Sequence, residues 1–269
     1  MRAAYLGTML AVALTAGAAS TNPVRAQGAP VYDWTGLYVG ANVAYSWGNS
    51  DTTAATYNNT TGALLNTTAG SVDLDGWLAG VQIGHNWQNG RWVFGLEADL
   101  QWTGQDGDNR FSCPAAPGIL GPCSSITFLP AGAVAPYSTF NQSIDWFATL
   151  RARIGWTVTP TILAYVTGGL AVGGISTDGT IVSLTGNGLT TVGIFGDDET
   201  NWGWTIGAGI EAVLSGNWTA KLEYLYIDFG SVSTVGFNLT SGPPLRVVFD
   251  SDIDDHILRV GLNYRFGRY

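Results

Sequence analysis

The sequence predicts an all-β fold, an eight-stranded antiparallel up-and-down transmembrane β-barrel. Three observations predict it. Eight segments of about ten residues alternate apolar with polar or small side chains, which is the length and period of a tilted strand that crosses a bilayer. Tryptophan recurs at both ends of several of these segments. Only 12% of residues are charged, whereas about 25% is usual for a soluble domain, so the outer surface is expected to meet lipid.

The composition also argues against other classes of protein. A net charge of −9 at pH 7 is unfavourable for nucleic-acid binding, because phosphate recognition needs a basic surface. After the N-terminal segment there is no apolar run of about 18 residues, so strands rather than helices are the expected spans. A soluble β-sandwich or lipocalin-like barrel is the alternative, but it would bury the aromatic face and expose the charges.

The first 26 residues are predicted to be a secretory signal peptide that is removed. Arg2 provides a short positive region, residues 6–19 are apolar, and Val24-Arg25-Ala26 offers a cleavage site. Residues 27–35 are expected to be a short periplasmic lead-in, and residues 36–269 the barrel. This organisation predicts export across the inner membrane and integration into a bacterial outer membrane.

Short turns and long polar segments separate the predicted strands in strict alternation. The short turns are Gln88-Asn89-Gly90, residues 157–161 and Ser215-Gly216-Asn217; Asn-Gly between alternating segments is a strong hairpin signal. Long polar loops are expected at 49–75, 103–143, 173–201 and 230–255. This pattern predicts short periplasmic turns and four long extracellular loops. The predicted strands are residues 37–47, 76–87, 92–102, 144–156, 162–172, 202–214, 218–226 and 256–266.

The face of each strand that meets lipid follows from its alternation. In the third strand Trp92, Phe94 and Leu96 face out, while Val93 and Glu97 face in. The fourth strand is predicted to point Ile144 and Trp146 outward and Asp145 inward. The fifth strand is apolar or small on both faces, so its orientation stays open. Two interfacial aromatic girdles are expected, formed by Trp47, Trp77, Trp87, Trp92, Trp102, Trp146, Trp156, Trp202, Trp204, Trp218, Tyr224, Tyr264 and Phe266.

The charged residues on the inward faces balance, with five acids and five bases. A narrow interior requires such balance, because a buried unpaired charge is costly. Eight strands leave just enough room for side chains to fill the lumen. We therefore hypothesise that ion pairs plug the barrel. The residues predicted to form this network are Glu97, Asp99, Asp145, Arg151, Arg153, Glu211, Lys221, Glu223, Arg259 and Arg265.

Cys113 and Cys123 lie close together in a stretch rich in Pro and Gly within the second long loop. In an oxidising compartment such a pair is expected to form a loop disulfide. Two reduced thiols are the alternative.

Several segments resemble a known family, the alphaproteobacterial outer-membrane surface antigens. These are small barrels often labelled "porin family", similar to the OmpA-like transmembrane barrel. The matching segments are residues 34–40, 95–97, 165–171, 221–226 and 260–266. The resemblance implies an eight-stranded barrel inserted by the outer-membrane assembly machinery, which reads a C-terminal aromatic strand. This chain departs from the usual pattern because it continues past Phe266 to Tyr269.

Other candidate sites have plainer explanations. Gly207, Gly209 and Ala212 match a dinucleotide fingerprint by letter, but no helix is expected after them. His256 with a nearby Ser or acid would suit a lipid A-modifying barrel enzyme, but a solvated rim histidine is favoured. His85 is interpreted as an interfacial residue rather than a haem ligand. No cofactor, metal or catalytic residue is predicted.

The predicted loops are acidic and contain only two bases, Arg110 and Arg246. Divalent cations bind carboxylates as hard oxygen ligands, so the loops are expected either to bridge to lipopolysaccharide phosphates or to form a solvated surface that meets an extracellular ligand. The loop acids are Asp51, Asp73, Asp75, Asp106, Asp108, Asp178, Asp197, Asp198, Glu199, Asp250, Asp252, Asp254 and Asp255.

The sequence thus predicts an integral structural or surface protein that supports envelope integrity or surface interaction and is not an enzyme. A narrow, low-conductance porin for small solutes is the alternative, and a lipid A-modifying enzyme is the third hypothesis.

Overall fold

A computed structural model describes residues 32–58, 60–112, 137–185, 188–239 and 245–266. The eight predicted strands are all present and close into one antiparallel barrel in which each strand pairs with the next and β1 pairs with β8. The strands are β1 Gly36–Asn58, β2 Leu64–Asn89, β3 Trp92–Ser112, β4 Tyr137–Thr159, β5 Ile162–Thr185, β6 Gly188–Ser215, β7 Trp218–Leu239 and β8 Leu245–Phe266.

The two ends of the barrel differ. At one end, here the turn end, β2 connects to β3 at Gly90, β4 to β5 at Pro160, and β6 to β7 at Gly216. Gly90 and Gly216 have φ values of 62° and 54°, which is the left-handed conformation that tight hairpin turns require. At the other end, here the extended end, all eight strands continue well past the aromatic residues.

The strands are 21 to 28 residues long, about twice the predicted length. Much of what reads as polar loop is therefore strand, including most of residues 49–75. The reason is that the polarity of the two faces is exchanged beyond the membrane, so that apolar side chains point inward and polar side chains point outward. Near the turn end Val39 and Val43 face out while Asn42 is buried, whereas farther along the same pattern buries Val72 and Leu74 and exposes Asp73. Each strand thus has a membrane section, followed by an extended section with polar residues outside.

Three β-bulges lie where the membrane sections give way to the extended sections. The register shifts between Trp102 and Gln105 in β3, between Ile144 and Trp146 in β4, and between Asp228 and Gly230 in β7. Bulges re-aim the side chains of a strand. In β4 the odd-numbered residues point inward from Phe147 towards the turn end. On the other side of the bulge, from Ile144 towards the extended end, the even-numbered residues point inward.

The structure also settles two features at the turn end. The orientation of β5, left open by the sequence, places Leu163, Tyr165 and Ala171 inside and Val166 and Leu170 outside. The predicted lead-in enters the barrel mouth, because Tyr32 and Trp34 are buried against Val93, Leu163 and Tyr165. The predicted signal peptide and both cysteines, Cys113 and Cys123, lie outside the described residues.

Candidate functional site

Glu97 on β3 is the centre of a charged network in the lumen. Its carboxylate accepts hydrogen bonds from Arg151 Nη2 at 2.5 Å, Arg153 Nη2 at 2.7 Å, Lys221 Nζ at 2.9 Å and Arg259 Nη2 at 3.1 Å. The hydroxyl of Tyr38 donates a further hydrogen bond of 2.7 Å. Four cationic side chains from three strands therefore converge on one carboxylate.

Three further acids share the same cations. Glu223 accepts from Arg259 Nε and from Arg151 Nη1, the latter at 3.2 Å. Asp99 accepts from Arg151 Nη2 at 2.7 Å and from the Thr149 hydroxyl at 2.6 Å.

Glu211, the fourth acid, lies nearer the turn end. It accepts from Arg153 Nη1 at 3.0 Å, Asn263 Nδ2 at 2.9 Å and the Thr219 hydroxyl at 2.5 Å. We call the whole set the lumen network: Glu97, Asp99, Arg151, Arg153, Glu211, Lys221, Glu223 and Arg259.

Strand register places these charges together. Glu97 is directly opposite Arg151, Glu223 is opposite Arg259, and Glu211 is opposite Lys221. The network contains four acids and four bases, and all eight side chains are at most 2% exposed. Balanced charges with several hydrogen bonds each are what allows ions to be buried in a narrow interior.

Aromatic residues lie in the lumen between the network and the turn end. The Arg153 guanidinium lies 4.4 Å from the ring centroid of Tyr165 and 5.2 Å from that of Tyr38, within the range of a cation–π contact. Trp34 is fully buried, and its backbone N–H donates to Gln88 Oε1 at 2.6 Å.

Arg265, predicted to belong to the network, instead fastens the lead-in to β8. Its Nη2 donates to the backbone carbonyls of Asp33 at 2.6 Å and Thr35 at 2.9 Å. The guanidinium also lies 4.6 Å from the Tyr32 ring centroid and 5.6 Å from that of Trp34. Within the described residues Arg265 makes no ion pair. It holds the lead-in against the barrel where β1 pairs with β8.

The inward position predicted for Asp145 is wrong. Its side chain is exposed on the outer surface, where Asp145 Oδ2 accepts a 2.7 Å hydrogen bond from the Ser176 hydroxyl. The β4 bulge turns Asp145 outward and Ile144 into the lumen. Simple alternation along the sequence cannot anticipate such a shift.

A cluster of buried apolar side chains lies in the lumen from about the level of Trp47 and His256 towards the extended end. Phe140 packs against Phe249 with ring centroids 5.5 Å apart, and Phe147 packs against Phe229 at 6.2 Å. This cluster was not predicted, although the apolar residues at 249, 253 and 257, which share one face of β8, are a signal for it. Its members are Ala44, Ala54, Val72, Leu74, Leu78, Phe140, Ile144, Phe147, Ala171, Ile175, Leu225, Ile227, Phe229, Val232, Phe249, Ile253 and Ile257.

The aromatic residues predicted for the girdles lie on the outer surface at two levels. The inner ring, nearest the turn end, consists of Trp87, Trp92, Trp156, Trp218, Tyr264 and Phe266, and the outer ring of Trp47, Trp77, Trp102, Trp146, Trp202, Trp204 and Tyr224. Edge contacts occur within the inner ring, such as Trp92 with Trp156 at 4.9 Å. Such rings mark the two interfaces of a bilayer.

Both histidines take part in the aromatic surface. His256 Nδ1 lies 2.6 Å from the Tyr224 hydroxyl, its ring stacks on Trp47, and its Nε2 lies 3.8 Å from Asp254 Oδ2. The His85 ring lies 4.4 Å from the Trp87 ring.

The glycines of the dinucleotide-like motif lie within β6 and give room to neighbouring side chains. A Cβ on Gly209 would come within 2.7 Å of the Tyr165 ring. No helix that could span a bilayer occurs in the part of the chain that the structure describes. Within those same residues, no group of three or more His, Cys, Asp or Glu side chains is arranged to hold a metal ion.

Comparison with known proteins agrees with this architecture. Residues 8–266 match the family model of the outer membrane protein beta-barrel domain. The chain is 31% identical over 278 residues to a 31 kDa outer-membrane immunogenic protein of Brucella melitensis, with 99% of this chain and 100% of the relative covered. It is 26% identical to a 22 kDa outer membrane protein of Rhizobium leguminosarum bv. viciae, covering 88% and 80% of the two chains.

Among solved structures, the outer membrane protein OprG from Pseudomonas aeruginosa aligns with a TM-score of 0.49 and 11% sequence identity. The alignment covers 88% of this chain and 99% of that one.

Proposed function

Because this chain belongs to the outer membrane protein beta-barrel domain family and is an integral outer-membrane protein, we propose that it is a structural surface protein with a closed lumen. It supports envelope integrity or surface interaction. The turn end lies in the periplasm, and the extended end projects outside the cell.

The observation that carries this proposal is the lumen network. Eight charged side chains fill the cross-section of the barrel between the two aromatic rings, and each is bonded to partners on other strands. A water-filled channel would leave such side chains solvated, whereas these are buried. The apolar cluster above the network adds a second layer that is unfavourable for ions.

Single-channel conductance of the refolded mature barrel in a planar bilayer tests the closed lumen. A general porin reconstituted in the same bilayer serves as the positive control for insertion and ion flow. We expect no openings from this barrel at voltages that reveal the control. Stable, reproducible openings would contradict the proposal and favour the narrow porin.

An enzymatic role is not part of the proposal, and lipid A mass tests this point. The candidate catalytic group for such an enzyme would be His256 with Tyr224 and Asp254 at the outer ring, because these side chains lie at the level of the lipid headgroups. Lipid A from cells that express the wild type and cells that express His256→Ala should have the same mass spectrum. A mass change that requires His256 would establish a lipid A-modifying enzyme instead.

The outer surface of the extended sections is proposed to bridge to lipopolysaccharide phosphates through divalent cations. Of the described charged side chains there, Arg246 is the single base. Carboxylates and phosphates are both hard oxygen ligands for such cations. The acids, here called the acidic collar, are Asp51, Asp73, Asp75, Asp106, Asp108, Asp145, Asp178, Asp197, Asp198, Glu199, Asp228, Asp250, Asp252 and Asp254.

Protease sensitivity in lipopolysaccharide-containing vesicles tests the bridging. We expect EDTA to increase cleavage of the extended sections and added magnesium to reverse the increase. Vesicles made with phospholipid alone provide the control, in which EDTA should have no effect. Cleavage that is unchanged by EDTA in both vesicles would remove the proposed bridge and leave a solvated surface that is free to meet an extracellular ligand.

A further inference from the structure

A buried carboxylate without a positive partner lies within the apolar cluster, at the side nearest the lumen network. Asp255 was expected in an acidic loop, but it faces into the lumen from β8 and is fully buried. It lies one residue beyond His256 of the outer aromatic level, opposite Gly48 of β1. A Cβ at position 48 would come within 3.0 Å of Asp255 Oδ1, so the absence of a side chain there leaves room for the carboxylate.

The unpaired polar atoms around this carboxylate are all oxygens. Asp255 Oδ2 accepts a 2.9 Å hydrogen bond from Gln105 Nε2. The Ser46 hydroxyl and the backbone N–H of His256 also face this carboxylate and partly offset the effect of burial on its pKa. Asp255 Oδ1, Gln105 Oε1 and Ser46 Oγ have no partner of normal hydrogen-bond geometry within the described residues. Ser46 lies beside Gly48 on the inward face of β1, whereas Ser50 is about 13 Å farther along the strand.

The surroundings supply no cation to balance the charge. On β8 the inward neighbours are Ile253 and Ile257, and on β7 the residue opposite is Ile227. The nearest base on the inward face of β8 is Arg259, which already binds Glu97 and Glu223. The lumen network is neutral by itself, with four acids and four bases, and it has no spare positive charge for Asp255.

The remaining titratable neighbours do not compensate either. Asp254 lies on the outer face and adds negative charge, and the His256 side chain also points outward. Burial raises the pKa of Asp255 to about 7. Above this pH a charged carboxylate remains in the lumen, where an unpaired charge is costly.

We propose that Asp255, with Gln105 Oε1 and Ser46 Oγ, forms a binding site for one small monovalent cation in the lumen. Carboxylate, amide and hydroxyl oxygens are hard ligands, which suit alkali and alkaline-earth ions. A single carboxylate matches a single positive charge. A divalent ion would leave an excess charge buried, and calcium sites normally use several carboxylates. The site is independent of whether the barrel conducts.

Thermal unfolding of the refolded full-length barrel at about pH 8 tests the site. The melting temperature is compared in sodium chloride and in N-methyl-D-glucamine chloride at equal ionic strength. Because a ligand that binds only the folded state stabilises it by mass action, sodium should raise the melting temperature in a saturable way. Equal melting temperatures in the two salts would overturn the proposal.

Two variants localise the effect. Asp255→Asn should abolish the sodium-dependent shift, whereas the matched control Asp254→Asn, one residue away on the outer face, should retain it. A shift that persists in Asp255→Asn would overturn the assignment.

A milder variant keeps the test decisive if Asp255→Asn does not refold. Replacing Ser46 with Ala removes one neutral ligand and no charge. It should raise the sodium concentration that gives half of the shift by about tenfold, the effect of losing roughly 1.4 kcal/mol of binding. Ser50→Ala, four residues along the same strand, is the matched control and should leave that concentration unchanged. Equal half-saturating concentrations in the wild type and Ser46→Ala would overturn the proposed ligand set.

Discussion

Glu97 and Asp145 are both acids of predicted inward-facing positions, yet their environments are opposite. Glu97 accepts hydrogen bonds from four cationic side chains and is buried at the centre of the lumen. Asp145 lies on the outer surface beside Ser176. Replacing Glu97 with a neutral residue leaves four bases facing three acids in a buried network, whereas replacing Asp145 with Asn leaves an exposed amide on the outer surface.

The substitution Glu97→Gln should therefore lower the free energy of unfolding by about 3–5 kcal/mol, the usual cost of breaking a buried ion pair. Urea unfolding of the refolded barrel, followed by tryptophan fluorescence, measures the change. Asp145→Asn is the matched control and should change stability by less than about 0.5 kcal/mol. Equal effects of the two substitutions would show that the lumen network contributes little to stability.

Asp255 makes stability depend on pH in a direction opposite to that of most acids. Its pKa is 3.8 in an ordinary setting and about 7 in the folded barrel, so between these values the folded state holds a proton that the unfolded state has released. Stability should then fall as pH rises from about 4 to about 7 and stay constant above. The total loss is at most about 4 kcal/mol, at 1.36 kcal/mol per pKa unit.

Urea unfolding in sodium-free buffer across this range, compared between the wild type and Asp255→Asn, isolates the contribution of Asp255. The difference between the two proteins should change through the window from pH 4 to pH 7 and level off beyond it. A constant difference at all pH values would contradict the raised pKa.

At the scale of the strand, the membrane sections were predictable and the extended sections were not. Tryptophan at both ends of a segment such as residues 92–102, with Glu97 and Asp99 alternating inside, has no common alternative reading. The extended sections are rich in Thr, Asn, Asp and Gly, which propensity assigns to loops. Tertiary pairing of eight neighbouring strands overrides that local preference.

The lumen network was predictable for the same reason that Asp145 was not. Alternation gives the correct face as long as a strand is regular, and eight of the ten predicted residues lie in regular stretches. Asp145 lies at a bulge, and Arg265 lies where the lead-in folds back against β8. Both positions depend on contacts between segments that are distant in sequence, which a local pattern does not contain.

The β4 bulge should not be needed to keep the side chains of the extended section on their native faces. Ile144 points inward, Asp145 and Trp146 both point outward, and Phe147 points inward again. Deleting Asp145 joins Ile144 directly to Trp146, so a continuous register leaves Phe140 and Ile144 in the apolar cluster. Limited proteolysis should therefore show the same protection of the extended sections in the deletion variant and in the wild type.

The substitution Asp145→Ala provides the control for this deletion, because it removes the side chain but retains the bulge. Its cleavage pattern should match that of the wild type. Rapid cleavage of the extended sections in the deletion variant alone would contradict this prediction and show that the bulge itself is needed to hold Phe140 and Ile144 in the apolar cluster.

For the whole molecule, the two layers of the lumen are expected to act in series. The lumen network and the apolar cluster occupy successive levels of one narrow barrel, so we propose that either layer alone blocks ion flow. Replacing Glu97 with Gln and Arg151 with Met removes one acid and one base while keeping the side chains large. This double variant should still be silent in a planar bilayer, since the apolar layer is intact.

Truncating Phe147 and Phe229 to Ala opens the second layer, because these two rings pack against each other across the lumen. That double variant should also be silent, with the charges still paired below it. Only the combination of all four substitutions is expected to give openings, of low conductance because eight strands enclose a narrow interior. Openings from either double variant would show that the layer it disrupts is needed to block ion flow by itself. Silence from the quadruple variant would place the barrier elsewhere in the lumen. The buried Trp34 at the turn end would then be the next side chain to truncate.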